Sequence, residues 1–142
     1  MTRALELARN SRELDEVPVG AVVVIDGEIV GEGHNRCIAD HDPSAHAEVV
    51  AIRQAALRAK NYRLPKATVY VTLEPCSMCA GAILQARIER VVFGVQDERS
   101  GAAGSQLNLL QSPFMNHQCK LESGVLATES QTLMQHFFQN RR

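Results

Sequence analysis

The stretch VPVGAVVVIDGEIVGEGHN, Val17 to Asn35, restricts the fold of this chain more than any other. Ala21 to Ile25 is an unbroken apolar run, mostly β-branched, and Glu28 to Gly31 resumes alternation. Asp26-Gly27 stands between them. Both residues tolerate positive φ, as a tight hairpin turn requires, so the two runs pair antiparallel. A purely parallel sheet is thereby excluded.

Helical patterns surround this hairpin. Thr2 to Leu14 places Ala4, Leu5 and Ala8 on one face. Asp42-Pro43-Ser44 introduces a second helix, with apolar residues at Ala45, Val49, Ile52, Ala56 and Ala59, and Asn61 is placed to stop it. Ala67 to Leu73 alternates as a strand. Pro75 suits the first turn of a third helix, where its missing N–H costs nothing, and this helix is expected to run to Arg87. Val91 to Val95 is another apolar strand, and SGAAGS, Ser100 to Ser105, is loop. A last helix, Glu129 to Asn140, carries Leu133, Met134, Phe137 and Phe138 on one side. This order predicts an α/β fold in which a central mixed sheet is covered by helices on both faces, a three-layer α/β/α arrangement. The chain has 142 residues, 45% hydrophobic and 22% charged, which fits one domain over residues 1–142. It has no 18-residue apolar run, and MTRALELARN lacks the apolar core of a secretory signal. A cytoplasmic protein with no membrane contact is expected.

The segment LEPCSMCAGAI, Leu73 to Ile83, carries the chemistry. Four cysteines are too sparse for a disulfide framework. A CxxC pair can hold a metal, do redox chemistry or merely fill space. Cys76 and Cys79 lie three apart on one helical face, in the first turn, where the helix dipole favours thiolate. A structural zinc wants four protein ligands. Among the five histidines, His46 stands out because it belongs to His46-Ala47-Glu48 at the entry of the preceding helix. Two successive helix starts at one rim of a sheet bring His46 to the cysteines. Three ligands leave zinc a fourth position for water. Glu48 can take the proton of that water and deliver it elsewhere. Taken alone, CxxC also fits a thioredoxin-like redox pair, and HxE is common by chance. Together, H-x-E followed by P-C-x-x-C is the known signature of zinc-dependent deaminases.

Net charge is −1, yet the span between Glu48 and Glu74 holds Arg53, Arg58, Lys60, Arg63 and Lys66 and no acid. Such a stretch is either a solvated helix face or a phosphate-binding surface.

Over nearly the whole chain the sequence resembles the bacterial tRNA-specific adenosine deaminases. The resemblance rests on VPVGAVVV, GEGHNR, HDPSAHAE, NYRLPKATVYVTLEPCSMCAGAI, RVVFG, SGAAGS and MNH. It implies a cytidine deaminase-like fold and conversion of the wobble adenosine of a tRNA anticodon to inosine. It makes His46, Cys76 and Cys79 the ligands of one zinc per subunit, with water as fourth ligand and no organic cofactor. Glu48 becomes the proton shuttle. Asn35 holds the target nucleoside, Ala47 lies against the base with its N–H available, and Val17 stands near the pocket wall. The partners implied are a tRNA anticodon stem-loop and a second copy in a homodimer. Arg141 and Arg142 then lie near the bound RNA, and the basic stretch Arg53 to Lys66 holds phosphates.

The resemblance implies several residues ahead of the first helix, where this chain opens almost inside it; either packing of that helix is weakened or an alternative start codon lies upstream. Cys37 and Cys119 read as small, partly buried side chains rather than ligands. Three rival readings stay open at this level. Guanine deaminases of this fold carry similar HAE and PCxMC segments. A disulfide oxidoreductase would use Cys76 and Cys79. A non-catalytic RNA-binding module with structural zinc would need Cys37 as a fourth ligand.

Overall fold

A computed structural model describes residues 1–141, and Arg142 lies outside the described residues. The strands are β1 Gly20–Ile25, β2 Glu28–His34, β3 Thr68–Leu73, β4 Arg90–Val95 and β5 Lys120–Glu122. They form one sheet in the order β2-β1-β3-β4-β5. β1 is antiparallel to β2 and β3, whereas β3–β4 and β4–β5 are parallel. Helices α1, Thr2–Glu13, and α4, Ala127–Gln139, cover one face. Helices α2, Ala47–Ala59, and α3, Ser77–Gln85, cover the other. The sheet is therefore mixed and sandwiched, as the sequence pattern predicts.

The hairpin turn uses Asp26 at φ 51° and Gly27 at φ 78°, the two positive angles of a type I′ turn. Val69, Val71, Ile83, Ile88 and Val91 are fully buried between the sheet and the α2–α3 layer. Each such side chain contributes about 1.5–3 kcal/mol. Close approach sets the position of α2. A Cβ on Gly33 would lie 2.4 Å from the Ala47 carbonyl oxygen and 2.6 Å from the Ala51 nitrogen. The first turn of α2 is thus seated directly on the backbone of β2. Helix α1 is seated as closely on the other face. It buries Ala4, Leu5, Leu7 and Ala8, and a Cβ on Gly20 would lie 1.9 Å from the Ala4 carbonyl oxygen. Of the two alternatives, weakened packing of α1 is not what its buried residues display.

Several boundaries differ from the sequence expectation. Helix α2 begins at Ala47, because the Asp42 carboxylate accepts hydrogen bonds from the Ser44 N–H at 2.9 Å and the Ser44 hydroxyl at 2.7 Å. That local turn competes with helix. The inward face of α2 carries Ala47, Ala51, Ile52 and Ala55, while Ala59 is exposed. Lys60, at φ 54°, takes the left-handed conformation that ends the helix, in place of Asn61. Cys76 is the N-cap of α3, so Pro75 stands ahead of the helix, which stops at Gln85. Phe138 remains 48% exposed, off the buried side formed by Ser130, Leu133 and Phe137. Strand β5 and a short 3-10 helix at Leu109–Gln111 were not expected. Three residues are too few to show alternation.

Gly20 pairs with His34, and Leu73 pairs with Val95. The start of β1 and the ends of β2, β3 and β4 therefore share one rim, where α2 and α3 also begin. Open α/β sheets bind ligands beyond the carboxyl ends of their strands. Among the described residues no helix is long and apolar enough to cross a membrane.

Candidate active site

His46, Cys76 and Cys79 meet at that rim, with their donor atoms within 4.8 Å of one another. His46 Nδ1 is 3.6 Å from Cys76 Sγ and 3.5 Å from Cys79 Sγ. A tetrahedral zinc with Zn–N of about 2.0 Å and Zn–S of about 2.3 Å sets its N···S edges at about 3.5 Å. The donor chemistry and spacing therefore fit a metal ion. His46 is the N-cap of α2 and Cys76 the N-cap of α3, while Cys79 stands in the first turn of α3. Cys37 and Cys119 are not in the group. Their thiols point to the Pro43 carbonyl at 3.8 Å and the Ile88 carbonyl at 3.1 Å. Among the described residues no second group of this kind exists.

The thiols and the carboxyl perturb one another. Cys76 is pushed down to about 4, chiefly by the hydrogen bond from Cys79, with His46 adding to it. Cys79, as the donor, is pushed up. Both sulfurs bind a metal as thiolates, so metal binding here would release protons. The His46 imidazole is raised, chiefly by its contact with Cys76. Glu48 is 4% exposed. Burial pushes its carboxyl up to about 7, and the Cys76 thiolate adds to that.

A cavity of about 170 Å³ opens onto these groups, lined by Val17, Asn35, His46, Glu48 and Cys76 among others. All the sequence-predicted side chains except Ala47 and Cys79 face it. Ala47 is fully buried, and its N–H donates to Asn35 Oδ1 at 2.8 Å. That amide, expected to be available to a base, is already engaged. Asn35 Nδ2 in turn donates to the Val17 carbonyl at 3.0 Å.

The lining also includes Glu74, Asp97 and Ser100, to which the sequence reading assigned no role. Asp97 and Ser100 follow β4 and sit at the same rim as CxxC. Their signal was their place just past the carboxyl end of a parallel strand. A wider cavity of about 860 Å³ adjoins through Val17, Leu73, Asp97 and Ser100, and reaches Arg99, Gln131 and Phe138.

The basic stretch is not at this rim. Arg58 and Lys60 end α2, and Arg63 and Lys66 precede β3, so all four lie at the opposite end of the sheet. The 13 residues of α2 separate the two ends by about 20 Å. Arg53 is engaged with Asp42 at 3.2 Å and the Ser44 hydroxyl at 3.1 Å. Arg141 stacks on Phe137, with its guanidinium 4.4 Å from the ring centre, beside a cavity that includes Asn35 and His46.

Residues 1–142 match the model of the MafB19-like deaminase family, which sets the class. A protein of Haemophilus influenzae called tRNA-specific adenosine deaminase is 52% identical over 100% of this chain and 83% of its own length. A Bacillus subtilis protein of the same description is 44% identical over 100% of this chain and 88% of its own. A solved structure from a study of A-to-I editing by tRNA deaminases at the wobble position of transfer RNA superposes with a TM-score of 0.89. It shares 44% identity and covers 92% of this chain and 94% of that one. The chain belongs to the tRNA-specific adenosine deaminases, and its sandwiched mixed sheet is their cytidine deaminase-like fold.

Proposed function

We propose that this chain hydrolytically deaminates adenosine to inosine at the wobble position of a tRNA anticodon, with residues 1–142 acting as one catalytic domain. The observation that carries the reading is Glu48 lining the same cavity as His46 and Cys76 of the His46–Cys76–Cys79 group. His46, Cys76 and Cys79 would hold one zinc per subunit. Such a zinc would supply an acidified water molecule to the cavity. Glu48, buried beside that group, is placed to accept and release a proton at the water and the base. It takes the proton of the attacking water, delivers one to N1 of the adenine, and later helps ammonia leave. Asn35 orients the nucleoside, and Val17 and Leu73 give the ring apolar walls. A base has to leave its stack to enter so small a cavity, and anticodon-loop bases are already unpaired. No organic cofactor is required.

The RNA surface spans more than the site. Arg99 and Arg141 flank the cavities beside it, whereas Arg58, Lys60, Arg63 and Lys66 lie on the far rim. We read this separation as favouring a homodimer in which one subunit's basic rim supports RNA entering its partner's site. The exposed side chains Leu57 and Tyr62, near that rim, suit such packing. A cytoplasmic location follows from the substrate.

The test is mass spectrometry of an anticodon stem-loop with adenosine at the wobble position, after incubation with zinc-loaded protein. Inosine at that position alone is expected. Unchanged RNA, with turnover of free guanine instead, would move the activity to a small-molecule purine.

A further inference from the structure

We propose that Glu74 is a positioning residue, whose buried carboxylate clamps the loop 97–105 so that Asp97 and Ser100 are held at the substrate cavity. Glu74 is 2% exposed. One carboxylate oxygen accepts from the Asp97 N–H at 3.1 Å. The other accepts from the Ala103 N–H at 3.0 Å and the Ser105 N–H at 3.1 Å. The Ser105 hydroxyl donates as well. Among the described residues no salt bridge reaches Glu74. Its charge is thus met by the loop. Opening the loop strands a buried carboxylate, which strongly favours the closed form.

The loop is built to close on this group. A Cβ on Gly101 would lie 2.3 Å from a Glu74 carboxylate oxygen, so only glycine fits there. The Ala102 N–H donates to the Pro75 carbonyl at 2.8 Å, and Gly101 bridges Cys76. This accounts for the small residues of SGAAGS. The order continues from Asp97. Its carboxylate accepts from the Arg99 N–H at 3.1 Å and the Ser100 hydroxyl at 2.9 Å, which fixes the turn between them. Asp97 and Ser100 then line the cavity beside Glu48 and Asn35. Glu74 therefore governs how well the cavity fits its occupant, and less how fast the reaction runs once it is seated. This role rests on the reading of that cavity as the substrate site.

The decisive variant is Glu74→Gln, which replaces one acceptor oxygen by an amide NH2 facing N–H donors. Three readouts are taken on zinc-loaded protein: metal content, amide hydrogen exchange over residues 97–105, and KM against kcat on the stem-loop. Loss of charge-assisted bonds predicts exchange and KM each raised about tenfold or more, with metal content unchanged and kcat within about threefold. Ser105→Ala removes one donor and moves the same readouts in the same direction by less. It decides the matter if Glu74→Gln does not fold. Unchanged loop exchange in the variants overturns the clamp, and so does a fall in kcat at constant KM. Wild-type protein inactive on RNA overturns the tRNA reading alone, because the exchange measurement still decides the clamp.

Discussion

Asn35, just past the end of β2, holds the first residue of α2: its Oδ1 accepts from the Ala47 N–H at 2.8 Å. The same side chain donates to the Val17 carbonyl at 3.0 Å. One amide thus ties the segment before β1 to the helix that presents His46 and Glu48. Asn35→Ala removes both bonds, at about 1 kcal/mol each. We expect about 2 kcal/mol lost in urea unfolding. In the proposed role kcat/KM should fall more than that loss of folded protein explains. Equal kcat/KM in folded mutant and wild type would remove Asn35 from the site.

Glu48→Gln keeps the shape of the buried side chain and loses its proton chemistry. Metal content should stay at the wild-type level while turnover falls by about 10²–10⁴-fold. A variant that still deaminates at the normal rate would show that another group moves the proton.

Cys76→Ser leaves the group without one of its two thiols. The expected result is loss of bound metal and a melting temperature lowered by about 10 °C or more, since metal binding and folding are coupled. A chelator should do the same to the wild type, reversibly on zinc addition. Full metal occupancy in the variant would take Cys76 out of the ligand set.

Gly33→Ala tests whether close seating of α2 sets the site. The added Cβ meets backbone atoms at 2.4 and 2.6 Å, so the helix start has to shift. Overpacking of this kind costs about 1–3 kcal/mol. Gly27→Ala is the control. Gly27 has φ 78° and no atom near its Cβ position, so the substitution strains the turn, at about 1 kcal/mol, far from the site. Activity should fall in the first variant and persist in the second. Equal activity in both would separate β2 packing from function.

Cys119 sets a limit on alkaline stability. Burial pushes its thiol up to about 11 from 9.0. Below pH 9 the thiol is protonated in both folded and unfolded chains and contributes no difference. Between pH 9 and 11 the unfolded thiol ionises first, so stability falls as pH rises, by about 2–3 kcal/mol in all. Cys119→Ala should lose that slope. In native protein at pH 8 the thiol should also resist iodoacetamide until the chain is unfolded.

The hairpin, the helices and the convergence of His46, Cys76 and Cys79 were legible because each has local chemistry. Asp26-Gly27 demands a turn, and the histidine and cysteines stand at helix starts that a sheet places on one rim. The exact start of α2 was not legible, because the Asp42–Ser44 turn competes with helix by a side-chain bond that no periodicity reveals. Nor was the distance between the basic stretch and the site. Arg58 to Lys66 follow HAE closely in sequence, but α2 carries them to the far rim. Glu74 stood in plain view beside Pro75. An acid before CxxC looks like surface until its four donors, all more than twenty residues away, are known.

Neither His46 nor Cys76 makes a side-chain cap for the helix it opens. Serine, threonine, aspartate or asparagine at those positions would stabilise each helix by about 1 kcal/mol. A sequence optimised for helix strength would therefore replace two of the three metal-ligand candidates at the two positions that matter most. Durability and chemistry compete here residue for residue. Selection or engineering for thermal stability has to act elsewhere, in α1, α4 and the surface loops, and leave these two helix starts weak.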